Sequence, residues 1–150
     1  MGVVREAATV ALGPDEAFEL WTDLRRWATF IDGFGHIDRV DDSWPAAGAK
    51  LVWRSRPEGR GVVTERVVSS EPGARLVTQV FEERMTGKQE VTFAATENGA
   101  RVDLELDYAL TRSGPLTPLT DFLFIRRAQL DSLRRTLRRF ATEAAEQAAL

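Results

Sequence analysis

The sequence predicts an α+β fold in which a seven-stranded, curved antiparallel sheet wraps around one long C-terminal helix, with two short helices between the first and second strands. Residues 36–110 alternate short runs rich in Val, Thr and aromatic side chains with turn clusters, which is typical of an antiparallel meander. Residues 119–150 contain neither glycine nor proline, so a single helix can continue through them. We expect one domain over residues 1–150, a length that supports a core of its own.

The first elements are a strand and two short helices. Residues 3–12 are rich in Val, Ala and Thr, which favours a strand, and a Gly-Pro pair then ends it. Pro14 suits the first turn of a helix, because its missing N–H would have no partner there. We expect this helix to break near Asp23. Residues 25–31 can form a second short helix, which the glycine-rich segment 32–35 closes.

Six strands are expected between residues 36 and 110. The turn clusters that separate them lie at residues 43–48, 57–59, 71–73, 86–87 and 98–99. Asn98-Gly99 is the strongest signal, because a type I′ turn needs positive φ at both central positions and this dipeptide tolerates it. The strand that follows alternates, with apolar side chains at positions 102, 104, 106, 108 and 110. One face of the sheet is therefore expected to contact solvent.

The terminal helix is expected to begin at Thr117-Pro118, since threonine caps helices and proline fits their first position. At about 100° per residue, a broad apolar stripe centred on Leu133 runs along it. The other members of the stripe are Leu119, Phe122, Leu130, Leu137, Phe140, Ala144 and Ala148. Phe124 projects from the opposite side of the helix. Arginine pairs at 134–135 and 138–139 fall on its flank and back, where we expect solvated side chains, with binding of acidic lipid headgroups as the alternative.

Composition excludes several classes of function. The chain has no cysteine and a single histidine, which leaves no disulfide framework, no Cys/His zinc site and no thiol nucleophile. We therefore expect neither a metal nor a cofactor. The net charge is −3, with the acidic excess in residues 1–110, so nucleic acid is a poor partner.

No segment of the sequence has the length and apolarity of a membrane-spanning helix. The first residues also lack the long apolar run of a signal peptide. We therefore expect a cytoplasmic protein without stable membrane insertion. The sequence leaves open whether the protein forms a homodimer.

The apolar face of the predicted sheet must be covered by another element of the chain. The long helix is the only predicted element large enough to do so. A twisted sheet that curls around one helix is hard to fill with its own side chains. The space between sheet and helix is therefore a candidate pocket for a small molecule, apolar with a few polar groups.

These elements carry turn and helix-start motifs that resemble those of a known family. The motifs are Gly13-Pro14-Asp15-Glu16-Ala17-Phe18, Trp21-Thr22-Asp23-Leu24 with Trp27, Gly48-Ala49-Lys50-Leu51, Arg66-Val67-Val68, Glu71-Pro72-Gly73-Ala74-Arg75-Leu76 and Gly99-Ala100-Arg101-Val102. The chain is similar to the SRPBCC or START-like superfamily, in its polyketide cyclase/dehydrase and lipid transport branch. The resemblance implies a helix-grip fold whose cavity, between the curved sheet and the last helix, binds hydrophobic ligands. It implies no single reaction, because the motifs mark turns and helix starts.

Arg126 lies near the middle of the apolar stripe, where an arginine is out of place. An unpaired buried guanidinium costs several kcal/mol, so Arg126 needs an acid or a wet cavity. It can form a structural ion pair, lie along the apolar surface with its head in water, or anchor a ligand carboxylate or enolate. Gln129 points toward the same space and can supply a second hydrogen bond.

Glu65 stands between two valines on one face of a predicted strand. If that face is inward, Glu65 is a buried acid and the natural partner of Arg126. Burial would then raise its pKa and make it a candidate general acid or base. The opposite face of the strand is nearly as apolar, and we favour an exposed Glu65.

Several other side chains are candidates for the same pocket. His36 has the one side chain whose ordinary pKa lies near neutrality, but it follows a glycine-rich turn, so we expect it at the surface or at the start of a strand. For Tyr108, the only tyrosine, we expect core packing with a local hydrogen bond, and pocket lining is the alternative. The remaining candidates for ligand binding, each with ordinary core packing as the simpler interpretation, are Phe122, Leu133, Phe93 and Trp53.

Three functions are consistent with the sequence. The first is binding or transport of a small hydrophobic ligand of the lipid, polyketide, quinone or isoprenoid type. The second is a polyketide cyclase, aromatase or dehydrase acting in the same cavity, with Arg126 stabilising an enolate. His36, Glu65 or Tyr108 would then move protons. The third is a protein-interaction module that uses the terminal helix and Phe124.

The contents of the cavity distinguish these three functions. A cavity that unites His36, Glu65 and Arg126 would favour the enzyme. A purely apolar cavity would favour the carrier, and a cavity filled by side chains would favour the interaction module.

Overall fold

The computed structural model describes residues 2–57, 59–111 and 119–150. In chain order the elements are β1 (Gly2–Val10), α1 (Pro14–Thr22), one turn of 3₁₀ helix (Leu24–Arg26), α2 (Trp27–Phe30), β2 (Phe34–Val40), β3 (Lys50–Ser55), β4 (Val62–Glu71), β5 (Arg75–Phe81), β6 (Met85–Thr96), β7 (Gly99–Leu110) and α3 (Leu119–Ala148). This order confirms the predicted α+β class, the strand count and the long last helix.

The seven strands of the described residues form one antiparallel sheet in the order β1-β7-β6-β5-β4-β3-β2. Consecutive strands pair from β2 to β7, as a meander requires, and β1 adds to the far side of β7. The first strand, β1, therefore lies at one edge of the sheet, and the second strand, β2, lies at the other. The segment with α1 and α2 makes this crossing, and α1 contacts β6 and β7 while α2 contacts β2.

The concave face of the sheet and α3 form the core, which confirms the helix-grip arrangement. Side chains alternate along β7 as predicted, with the apolar residues at 102, 104, 106 and 108 buried. The helix α3 packs along β1 and against both α1 and α2. The ring of Phe140 lies edge-on to Trp21 and Phe30, with centroids 5.2 and 5.1 Å apart.

Two of the predicted turns are wrong in detail. Residues 86–87 lie inside β6, and the chain reverses at residues 82–84, where the Glu82 N–H donates to the carbonyl of Met85. In the hairpin of β6 and β7, Glu97 and Asn98 form the loop, and Gly99 does not have positive φ. Gly99 is needed for a different reason, since a Cβ there would lie 1.9 Å from the carbonyl oxygen of Val10.

The apolar stripe of α3 is buried only in its second half. Leu119, at the start of the helix, is 72% exposed, and Phe122 is half-buried. The stripe is fully buried at Leu133, Leu137, Phe140 and Ala144, and it is exposed again at Ala148, where the helix ends. The predicted helix start at Thr117-Pro118 lies outside the described residues. Within them, no helix has both the length and the apolarity to cross a membrane.

Candidate functional site

A cavity of about 30 Å³ lies between the concave face and α3. Its lining residues are Trp21, Trp27, Ile31, Asp32, Trp53, Arg60, Glu65, Val80, Gln89, Leu104, Leu106, Gln129, Ser132, Leu133 and Thr136. This volume has room for about two water molecules. Sites for drug-sized ligands are roughly tenfold larger. The cavity as described is therefore too small for such a ligand, and seven of its fifteen lining residues are polar or charged.

Glu65 faces this cavity from β4 and is buried. One carboxylate oxygen, Oε2, accepts a hydrogen bond from Trp53 Nε1 at 2.8 Å, and the other, Oε1, accepts one from Thr78 Oγ1 at 3.1 Å. Burial raises the pKa of Glu65 and outweighs the opposing effect of these donors. The cavity thus contains a carboxyl group whose pKa is raised above that of an exposed glutamate.

The expected exposure of Glu65 is wrong. The two faces of β4 are nearly equal in apolar content, but Val62 and Val68 are the ones that contact solvent. The register decides the orientation, because Glu65 pairs with Leu51 of β3, whose side chain is fully buried. This pairing joins distant parts of the chain, so alternation within β4 alone does not reveal it.

Arg60 is the cation that borders the cavity, and the sequence reasoning missed it. It lies in the loop between β3 and β4, where no periodic pattern draws attention to a single arginine. Its guanidinium carbon lies 5.2 Å from the ring centroid of Trp53. Its Nε donates to Glu82 Oε2 at 2.5 Å, and the Glu82 side chain is only 7% exposed. Arg60 is therefore held between the cavity and the β5–β6 turn.

The helix α3 contributes one polar edge to the cavity, through Gln129, Ser132 and Thr136. These residues lie three and four positions apart and share one side of the helix. Gln129 Nε2 lies 3.4 Å from the sulfur of Met85. Ser132 Oγ donates to Asp32 Oδ2 at 2.8 Å, and the Asp32 N–H donates to Thr136 Oγ1 at 3.0 Å.

Asp32 joins the α2–β2 turn to α3. Besides Ser132, it accepts hydrogen bonds from Arg135 Nε at 3.0 Å and from Arg139 at 3.3 Å. Burial alone would raise the pKa of Asp32, but the hydrogen bonds from Arg135 and Ser132 hold it below its ordinary value. Arg135 and Arg139 are exposed, as expected, and both are also partners of this one acid. A third, Arg134, binds Glu6 at 2.7 Å.

Arg126 does not enter the cavity and is not the partner of Glu65. Its side chain is exposed, and its guanidinium donates to the carbonyl of Val3 at 2.5 Å. The physical reason is that α3 runs beside β1, the edge strand, whose outer backbone groups have no neighbouring strand. The stripe position therefore points at the sheet edge and satisfies one of its carbonyls.

His36 and Tyr108 also lie outside the cavity. His36 is exposed on β2, as expected, and its Nε2 lies 3.1 Å from Asp38 Oδ1. Tyr108 is buried on the concave face of β7, where its ring occupies the space that a Cβ on Gly2 would need. Burial raises the pKa of its hydroxyl.

The cavity brings together four of the nine predicted ligand-binding residues, namely Trp53, Glu65, Gln129 and Leu133. Phe93 is absent from its lining and packs edge-on against Phe18, with ring centroids 5.7 Å apart. Phe122 is absent from it as well. The cavity therefore neither unites His36, Glu65 and Arg126 nor is purely apolar.

A sequence profile of the family described as "Polyketide cyclase / dehydrase and lipid transport" matches residues 1–145. This match confirms the resemblance that the turn and helix-start motifs indicated. No match was found among curated proteins.

Solved structures share the fold. Protein CV1439 from Chromobacterium violaceum has a TM-score of 0.70 at 14% identity, over 96% of this chain and 98% of its own. The di-domain ARO/CYC StfQ from the steffimycin biosynthetic pathway has a TM-score of 0.79 at 17% identity, over 99% of this chain and 52% of its own. DynU16 from the dynemicin biosynthetic locus has a TM-score of 0.62 at 21% identity, over 93% of this chain and 46% of its own. This chain thus spans about half of StfQ and of DynU16, and at such identities the likeness shows the fold alone.

Proposed function

Because the chain belongs to the polyketide cyclase / dehydrase and lipid transport family, we propose that it binds a small hydrophobic ligand of the lipid, polyketide, quinone or isoprenoid type in the cavity between the sheet and α3. The observation that carries this proposal is that a buried carboxyl group and the polar edge of α3 line the same cavity. An apolar ligand with one oxygen fits such a lining, because a neutral Glu65 can donate a hydrogen bond to a carbonyl or hydroxyl oxygen.

Binding requires the cavity to expand, since about 30 Å³ is too small for such a ligand. The first ten residues of α3 are the least buried part of the helix, with Leu123 and Phe124 exposed. In contrast, hydrogen bonds to the Asp32 carboxylate hold the part of the helix from Ser132 to Arg139 in place. We therefore expect the N-terminal part of α3 to move away from the sheet when a ligand enters, with Gln129 and Leu133 adjusting around it.

The test is a pair of variants that introduce the same ring at neighbouring positions of α3. Gln129→Phe places a phenyl group in the cavity lining, and Ala128→Phe places it on the exposed side. Native mass spectrometry of the purified proteins reports any ligand that is carried along. Titration with the neutral dye N-phenyl-1-naphthylamine reports the affinity of the pocket.

We expect one dye molecule to bind per wild-type chain, at least tenfold weaker binding in Gln129→Phe, and unchanged binding in Ala128→Phe. Equal affinity in all three proteins would place the dye elsewhere and contradict the proposal. A wild-type protein that carries no ligand and binds no dye would contradict it as well, and would favour the interaction module.

A second function, catalysis in the same cavity, is supported by the pairing of a raised-pKa acid with a nearby guanidinium. In this version ionised Glu65 accepts an α-proton from a poly-β-keto chain, and Arg60 takes the enolate-stabilising role considered for Arg126. Glu65 then returns the proton to the carbonyl oxygen that the enolate carbon attacks. Glu65→Gln keeps the shape of the side chain but cannot transfer a proton. Loss of cyclisation or dehydration in Glu65→Gln with retained ligand binding would support catalysis, and unchanged turnover would contradict it.

A further inference from the structure

A row of basic side chains crosses the convex face of the sheet, opposite the cavity. Lys50 of β3 pairs with Arg66 of β4, Arg66 pairs with Gln79 of β5, and Gln79 pairs with Lys88 of β6. All four side chains are exposed. We call Lys50, Arg66, Gln79 and Lys88 the basic row. With strands roughly 4.8 Å apart, the row is about 14 Å long.

The three cations of the basic row are unpaired. None of them forms an ion pair with another residue in the described part of the chain, whereas ten arginines of the same part bind acids. Asp107 stands opposite Lys88 at the end of the row without forming an ion pair. Like charges directly opposite each other, as at Lys50 and Arg66, destabilise a sheet. The row therefore has a local energetic cost that the fold does not require.

The surroundings of the basic row make it a distinct surface. Phe81 follows Gln79 by two residues on the same face and is 44% exposed. Val62 and Val68, on β4 beside Arg66, are exposed too. The chain as a whole has a net charge of −3, so this positive patch lies on an acidic molecule. A partner attracted to it must be acidic and must contact this face in particular.

We propose that the basic row is the docking surface for an acidic helix of a partner protein. A helix of about ten residues rises ~15 Å, which matches the length of the row, and its carboxylates can recur along one side. Phe81 supplies an apolar contact beside the charges. A convex sheet touches a flat bilayer at few side chains, and the acidic body repels the extended phosphate backbone of nucleic acid. Docking on this face leaves α3 and the cavity free, so its test is independent of ligand binding.

The probe is a synthetic helical peptide with glutamates at four positions spaced i, i+4, i+7 and i+11, and its control has glutamine at the same positions. Amide chemical shifts of ¹⁵N-labelled protein report the contact surface and the affinity. Arg66→Glu removes the central cation and places an acid opposite Lys50. Arg138→Glu makes the same charge change on the exposed side of α3, where Arg138 has no acid partner among the described residues.

We expect the glutamate peptide to shift the amides of the basic row and the glutamine peptide to leave them unchanged. Arg66→Glu should weaken binding at least tenfold and raise the thermal midpoint, because a like-charge pair becomes an opposite-charge pair. Arg138→Glu should leave the affinity within twofold. If Arg66→Glu does not fold, Arg66→Gln provides the same comparison with a smaller expected loss.

Three results would overturn the proposal. One is an equal loss of affinity in Arg66→Glu and Arg138→Glu, which would reflect net charge alone. Another is a set of shifted amides outside the basic row. The third is binding of phosphatidylglycerol vesicles or duplex DNA through the basic row when the glutamate peptide does not bind there.

Discussion

At Glu65, two hydrogen-bond donors and a nearby cation offset only part of the cost of burying a carboxylate. An ionised acid removed from water costs several kcal/mol unless it is fully paired, and Arg60 is already bound to Glu82. Trp53 and Thr78 satisfy both oxygens of Glu65. Burial therefore raises the pKa of this acid above its ordinary value, and carboxyl groups perturbed in this way cluster at functional sites.

The raised pKa of Glu65 predicts how the free energy of unfolding depends on pH. Because the folded-state pKa of Glu65 is raised, its contribution is fully present below the ordinary value of 4.5 and is lost as pH rises through the folded-state pKa. Glu65→Gln cannot ionise, so we expect it to become more stable than the wild type as pH rises. The expected gain is about 1.4 kcal/mol for each unit of pKa difference. Urea unfolding at pH 4, 6 and 8 measures it.

The control for this prediction is Glu71→Gln, at an exposed position of the same strand. It should leave the pH dependence of unfolding unchanged. A constant difference between Glu65→Gln and the wild type from pH 4 to 8 would contradict a raised pKa at Glu65.

Among the elements, α3 combines two different segments in one helix. From Leu133 to Ala144 its stripe is buried in the core, and Asp32 holds the neighbouring side. From Leu119 to Ala128 the same periodicity continues, but most of the side chains are exposed. The apolar pattern of a helix gives the direction of its side chains, while the extent of the sheet decides how much of the pattern is covered.

Two phenylalanines of α3 test this division. Phe140 is fully buried against Trp21 and Phe30, and Phe124 is 74% exposed. We expect Phe140→Ala to lower the free energy of unfolding by about 3–5 kcal/mol, because it removes packed aromatic surface and leaves a cavity. Phe124→Ala should change it by less than about 0.5 kcal/mol. Urea unfolding of both variants gives the comparison, and similar losses would show that the first half of α3 is also packed.

At the scale of the whole molecule, the two ends of the chain hold each other in place. β1 pairs with β7 along its full length, from Gly2 opposite Tyr108 to Val10 opposite Ala100. The helix α3 then packs along β1. The first strand therefore completes the sheet only when the last strand and helix are formed. Such long-range pairing couples all elements into one unit.

We expect residues 1–150 to unfold in a single cooperative transition. The four tryptophans lie between Trp21 and Trp53, so their fluorescence reports the first part of the chain. Far-UV circular dichroism reports mainly the long helix α3, in the last part. The two probes should give the same urea midpoint. Separate midpoints would show that α3 and the tryptophan-rich region form independent units.

The sequence by itself determined the order of the elements and the buried faces of those with a clear apolar pattern. The antiparallel meander, the alternation of β7 and the buried stripe around Leu133 follow from spacings within one segment, and each is present. The exposed position of Phe124 follows from the same periodicity. These features depend on side-chain direction and on local turn chemistry, and both are encoded by neighbouring residues.

Only the tertiary structure decided what surrounds the cavity. In the folded chain Glu65 points inward and Arg60, from a loop, borders the cavity. Asp32 is hydrogen-bonded to α3, and Arg126 contacts the edge of the sheet. Each of these outcomes depends on register or approach between segments that are distant along the chain, where a shift of one residue exchanges the two faces of a strand. The cavity volume depends in turn on all of these contacts together, so no single segment of the sequence specifies it.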